Sequence, residues 1–303
     1  MMEHDLLIEI GTEELPPVAL RRLSESFRDS LDSLLRENHL AHGKAHAYAS
    51  PRRLAVHIEN VPLTQPDREV VRRGPGMLAA FDENGDPTRP ALGFARSCGV
   101  TVTELDQLET DKGSFLAWRS VEQGQPAVEI IPILVERALK DLPVPKRMHW
   151  GDSEVEFVRP VHWVLLLLGT ETIEADILGI TANRYTRGHR FHHNEKIAIV
   201  EPHAYVETLE KKGRVQVDMD RRRETIRSQV KAAGQSLGGR ARIDADLLEE
   251  VTALVEWPVA ISGSFDQRFL EVPAEALVST MQYHQKFFPV EDSDGQLLSH
   301  FIT

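Results

Sequence analysis

A single cysteine, Cys98, stands in 303 residues. It has no partner for an internal disulfide, which fits a reducing compartment. Long apolar runs are missing too. The longest, Val164 to Leu168 with Val161 and Trp163 ahead of it, falls far short of the ~20 residues a membrane helix needs and reads as a buried strand. No basic stretch followed by an apolar one opens the sequence, because Glu3, His4 and Asp5 precede only Leu6 to Ile8. No export signal is visible, and a cytoplasmic location is expected. Positive charge is in deficit: 35 basic against 47 acidic residues give a formal net charge of -12. That argues against coating nucleic acid by bulk electrostatics but leaves room for a local basic face. The usual catalytic signatures are absent as well. SLGGRARI lacks the phosphate-loop arrangement, no HExxH occurs, and no serine or cysteine nucleophile stands beside a recognisable base.

What is present is the make-up of a folded globular protein, 41% hydrophobic and 27% charged. The length suits one large or two ordinary domains on a prior of roughly 100 to 200 residues each. Leu6 to Ile10 reads as a strand. Pro16 and Pro17 then open a helix whose Leu20, Leu23, Phe27, Leu31 and Leu34 line one stripe to about Glu37. Glu13 and Glu14 just before it suit a helix start better than acid-base work, which needs an apolar pocket. Lys44 to Ala49 and Leu54 to Val61 bracket SPRR as a hairpin, with Leu54, Val56 and Ile58 on one face. Arg52 and Arg53 fall in its turn, where they could hold phosphate or simply be solvated.

From Pro62 the pattern changes, and VPLTQPDREVVRRGPG reads as a linker into a smaller α+β unit spanning residues 62–145 and ending near PVPKR. Inside it, FDENGDPT is a turn that lacks the length of a calcium loop, and Pro126 to Lys140 is a helix. Residues 1–61 and 146–303 then form the main body. TRGHRFHH carries the densest local positive charge, with Arg184, Arg187, Arg190 and Lys196. Its histidines make a poor metal site: if the segment is extended, His189 and His193 point one way and His192 the other. Arg214 to Asp218 reads as a strand and Met219 to Ala233 as a helix ended by Gly234, Gly238 and Gly239, with Arg223, Arg227 and Lys231 in a row usually read as a solvated face. At the C-terminal end Leu247, Leu248, Val251, Leu254 and Val255 define an apolar helix side, with Glu249, Glu250 and Glu256 opposite. Pro273 opens another helix whose Leu277, Met281 and His284 share a buried face. Lys286 lies off that face, free to reach a phosphate.

Several of these stretches carry a resemblance. EVTALVEWP, FLEVPAEALVSTMQYHQKFFPV and the Asp-Gly turn after it are similar to the β subunit of the bacterial two-subunit glycyl-tRNA synthetases. LLIEIGTEELPP, SPRRLAV, HWGDSEVEFVRPVHW and TRGHRF agree with that family in the same order. The resemblance implies that adenylation and transfer belong to a separate α subunit, which binds ATP, magnesium and glycine, so that no cofactor is held by this chain. It implies that the β subunit contributes tRNA binding and assembly with α, in an α2β2 holoenzyme. It also implies an α+β fold of mixed sheets and packed helices, similar to the tRNA-editing module of the phenylalanyl-tRNA synthetase β chain. Because family members are much longer and the chain ends in a strand-like run at FIT, it is expected to be an N-terminal part, with the HD-type and anticodon-binding domains beyond Thr303. Contact with glycine tRNA is expected from Arg187, His189, Arg190, Lys286, Arg52 and Arg53. The alternatives are an editing-type pocket that hydrolyses mischarged tRNA around His284 or His189, and a pure assembly scaffold.

Overall fold

The computed structural model describes residues 3–144 and 146–303. The chain divides into two compact units, Met1–Leu63 with Ala127–Thr303, and Thr64–Pro126. The larger unit begins with β1 (Glu3–Thr12), α1 (Pro17–Glu37), β2 (Ala45–Ser50) and β3 (Arg53–Pro62). Pro17 suits the first helical turn of α1, where a backbone N–H would have no partner anyway.

The smaller unit holds β4 (Arg68–Gly76), α2 (Met77–Ala80), α3 (Arg89–Cys98), β5 (Asp106–Thr110) and β6 (Gly113–Glu122), with the antiparallel sheet order β4-β6-β5. Ala80, Ala91 and Leu116 form its small core, and Gly99, in the left-handed conformation, ends α3. Residues 68–76 are a strand rather than the expected linker. Most of their side chains face solvent, so no alternation of apolar residues marks them.

The main body resumes at α4 (Ala127–Lys140). It continues through β7 (Met148–His149), β8 (Glu156–Phe157), β9 (Val161–Leu168), β10 (Glu171–Thr172), β11 (Asp176–Ile177), β12 (Ile180–Thr181), β13 (Tyr185–Arg187) and β14 (Lys196–Ala198). After them come α5 (Tyr205–Thr208), α6 (Met219–Ser236), β15 (Arg240–Ala241), α7 (Ala245–Leu254), β16 (Ser262–Ser264), α8 (Ala274–Ser279), β17 (Phe288–Glu291) and β18 (Leu297–Ile302). Helix α4 corrects the expected boundary at residue 145: its Ile130, Ile131, Leu134, Val135, Ala138 and Leu139 join the same core as α1. The smaller unit therefore closes at Pro126, while Pro145, within the expected PVPKR boundary, lies outside the described residues.

A five-stranded sheet of order β10-β9-β1-β3-β2 organises the body. Its strands pair antiparallel, with Ile8 opposite Val56 on one side and Leu166 on the other. The α+β class is as expected, but the ladders among the described residues are antiparallel rather than mixed; the parallel pairing is one bridge, Leu165 to Asn183. Because strand side chains alternate, Leu6, Ile8, Ile10, Leu54, Val56 and Ile58 face α1 and α4. Leu7, Ala55, Leu165 and Leu167 face the other way and are covered by Ile199, Tyr205, Leu209, Val215 and Val217. Residues 214–218, expected as a strand, cross this second face without a ladder, and Arg214 takes a positive φ of 54°. Helices α6 and α7 pack on a four-stranded sheet, β15-β17-β18-β16. Of the three glycines expected to end α6, Gly238 and Gly239 follow it, Gly238 with a positive φ of 76°, whereas Gly234 sits inside it, where a Cβ would come within 2.6 Å of the Ala241 backbone nitrogen. No helix of the described residues is long and apolar enough to cross a membrane.

Gly11 is the position in β1 that the second face depends on. It lies opposite Arg53 in β3 and Trp163 in β9, and the Trp163 ring folds over it so closely that a Cβ would fall 1.9 Å from the indole. Gly11→Ala should therefore displace the indole and destabilise the body by about 1–3 kcal/mol, the usual range for overpacking. A urea melt monitored by tryptophan fluorescence checks this, and an unchanged midpoint would refute it.

Candidate functional site

Alternation along β1, β3 and β9 places Glu9, Arg53 and Trp163 on the second face, at the end of the sheet where the β2–β3 turn lies. All three are buried. Arg53 is the hub. Its Nε donates to Ser50 Oγ (3.1 Å), its Nη1 to Thr186 Oγ1 (3.1 Å) and its Nη2 to the Arg187 carbonyl (2.9 Å). Its guanidinium pairs with Glu9 at 3.5 Å and Glu256 at 3.3 Å. Glu9 in turn accepts from the Trp163 indole N–H, the Tyr205 hydroxyl and, at 2.6 Å, the Thr186 hydroxyl. Burial opposes the Arg53 charge, but the two carboxylates outweigh it and its pKa is raised. Burial and then the Glu9 charge hold the Tyr205 phenol well above its ordinary value, so it stays a neutral donor.

This corrects the expectation for Arg53. It is not a solvated turn arginine but the first residue of β3, with no exposed surface. It corrects Glu256 as well. Helix α7 ends at Leu254, so Glu256 escapes the helical face on which spacing puts it and turns inward, 5% exposed. There its Oε1 accepts from Ser50 at 2.6 Å.

Above this buried set opens a pocket of about 260 Å³, lined by Glu14, Pro51, Arg52, His189, Arg190, Phe191, Leu254, Val255, Glu256 and Trp257. Arg52, half-buried, makes no ion pair among the described residues. Its Nε is buried without a hydrogen-bond partner, and its guanidinium carbon lies 5.8 Å from the Trp163 ring centroid. Burial, with the charge of Arg190 beside it, lowers its pKa.

The β13–β14 connection turns rather than extends, so the predicted split of its histidines between two sides does not arise. His193 N–H bonds back to the His189 carbonyl (2.9 Å). Two more backbone N–H groups, from Phe191 and His192, point at His189 Nδ1 (3.2 and 3.3 Å), which fixes that nitrogen as an acceptor and the ring as neutral. Burial pushes the His189 pKa down, against the pull of Glu256. Phe191 stands 85% exposed at the rim.

Arg190 bridges Glu13 at 2.5 Å and Glu14 at 3.0 Å, so those carboxylates hold the basic turn in place. For Glu13, burial raises the pKa, but the bonds from Arg190 and His162 outweigh it and the net shift is downward.

Of the residues expected to meet RNA, the pocket gathers Arg52, His189 and Arg190, with Arg53 and Arg187 behind them. Arg187 lies with its guanidinium carbon 6.0 Å from the Trp163 ring centroid. Lys286 is elsewhere, paired with Glu250 at 2.8 Å. His284 does not line the pocket either. It is exposed rather than buried, because the chain widens into a π-type turn over Thr280–Gln285 and carries residue 284 off the row of Val278 and Met281. The Arg223 and Arg227 row is partnered by Glu249 and Glu224 (3.3 and 3.6 Å).

Arg53→Met should leave two buried carboxylates without their cation and cost about 3–5 kcal/mol. The urea midpoint of the variant measures this, and a shift below about 1 kcal/mol would show that the network is not the keystone described.

The glycyl-tRNA synthetase beta subunit family matches residues 6–303. The chain is 50% identical over 303 residues to the glycine–tRNA ligase beta subunit of Hahella chejuensis and 50% identical over 304 residues to that of Marinobacter nauticus. It is 48% identical over 302 residues to that of Yersinia pestis. All of this chain is covered in each case, and it spans 44% of the length of these curated relatives.

Proposed function

This chain belongs to the glycyl-tRNA synthetase beta subunit family, and we propose that its 303 residues serve a glycine–tRNA ligase by receiving the acceptor end of glycine tRNA in the Arg52 pocket. A catalytic α subunit that binds ATP and magnesium docks beside it, in an α2β2 assembly. The observation that carries the reading is a half-buried arginine that makes no ion pair among the described residues, in a solvent-open pocket that a neutral histidine and exposed Phe191 also line. An unpaired RNA end offers a phosphate to the guanidinium and a base face to Phe191 and Trp257. Base–aromatic stacking contributes about 1–3 kcal/mol per base. The net charge of -12 works against long-range attraction, so the contact is local and short-ranged. We also read the body as similar in fold to the tRNA-editing module of the phenylalanyl-tRNA synthetase β chain, on the ground of its helix-backed sheet with a ligand-sized pocket at one end.

The test is binding of glycine tRNA with and without α subunit across a salt series. Affinity should fall as salt rises. Arg52→Ala should weaken it about tenfold and reduce the salt slope by about one, while Lys286→Ala leaves it unchanged. Absence of binding even with α present would reduce the region to an assembly scaffold.

A second reading is a hydrolase that clears mischarged tRNA. What favours it is His189, held neutral in the same pocket as Glu256 and so able to orient water. Release of free amino acid from mischarged glycine tRNA should then stop on His189→Ala and persist on His284→Ala. No release at high protein concentration rejects it.

A further inference from the structure

Both hydrogen bonds that the Glu256 carboxylate accepts among the described residues go to one oxygen, Oε1, from Ser50 and Arg53. Oε2 accepts none among the described residues, yet it is not sealed in, and Glu256 lines the pocket. Because that oxygen is not sealed in, water reaches it in the free protein, and a ligand that displaces this water must itself supply a donor. The other pocket carboxylate, Glu14, is already engaged by Arg190 at 3.0 Å. The pocket is thus dipolar: a cation that makes no ion pair among the described residues at Arg52, and an anion with one open oxygen at Glu256. A free RNA end satisfies only the first. A ligand that satisfies both carries a phosphate and, beyond it, a positively charged donor.

We propose that Glu256 Oε2 receives the primary ammonium of an α-aminoacyl group esterified to the RNA 3′ end, so that the pocket distinguishes a charged acceptor end from an uncharged one. This rests on the reading that the pocket meets an RNA end, and adds which state of that end it prefers. His189 hands no competing charge to the ammonium, because its ring is neutral and its Nδ1 is occupied by backbone N–H groups. Ser50 and Arg53 hold the carboxylate from behind and set its direction.

The experiment uses the 303-residue chain and an RNA stem with a single-stranded 3′ overhang. The terminal ribose carries, through a hydrolysis-resistant amide, glycine with a free amine, N-acetylglycine, glycolic acid, or nothing. The free amine should bind about tenfold more tightly than the other three, the scale of one hydrogen bond to a charged group. On Glu256→Gln that preference should disappear. Equal affinity for all four probes overturns the inference and leaves the RNA reading standing. A preference for the free amine that persists in the variant also overturns it, since the attraction then comes from the acidic chain as a whole. Failure to bind any probe, with the α subunit added as well as without it, overturns the RNA reading and this inference with it. The acetyl and glycolyl probes remove the charge from the ligand side, so the result does not depend on the variant folding.

Discussion

The body is built around one buried guanidinium. Taking Arg53 and two carboxylates out of water carries a desolvation penalty of several kcal/mol per ion, which only close and complete pairing offsets. Each Arg53 nitrogen has a partner, and both Glu9 oxygens accept at least one hydrogen bond or ion pair. The partners come from β1, β2, β13 and the segment after α7, so the network fixes where those four pieces meet β3. Elsewhere hydrophobic packing is non-directional. Here it is the donor geometry that decides which side chains stand at the pocket floor.

The two faces of the sheet divide the labour. One is a large apolar core under α1 and α4, which supplies cohesion. The other carries a smaller apolar cluster that gives way, toward the β2–β3 turn, to polar groups. A site built on that side inherits the rigidity of a strand flanked on both edges, and Gly11 gives the indole the space that keeps the floor level. Arg222 follows a different rule. It is buried, makes no ion pair among the described residues and donates to the carbonyls of Ala49, Gln216 and Thr252, and burial pushes its pKa down to about 10.

How much of this could be read from sequence depended on whether a residue's environment was local. The α1 stripe, the SPRR hairpin and the apolar run of β9 follow from spacing, and the structure places them as spacing predicts. Strand β4 was hidden because its side chains are mostly solvated. Glu9 left a faint trace, a lone acid in the run LLIEIG, which alternation marks as facing something polar inside the fold. Glu256 left none: helical spacing assigns it to water, and only the end of α7 at Leu254 turns it inward. For Arg53 the pattern was ambiguous, since a turn residue and the first residue of a buried strand look alike until distant partners are known. His284 was misplaced by a change in helical pitch that no residue type announces.

The distance in sequence between these partners has a consequence in time. Arg53 and Glu256 stand 203 residues apart. At ribosomal rates of about 5–20 residues per second, the guanidinium therefore waits on the order of 10–40 s for its second carboxylate. During that interval the early hairpin has a strong reason to keep its charged end hydrated, and β1 cannot settle both of its faces. Closure of the pocket floor is thus among the last events of the body's assembly, and a nascent chain acquires this surface only once the body is nearly whole.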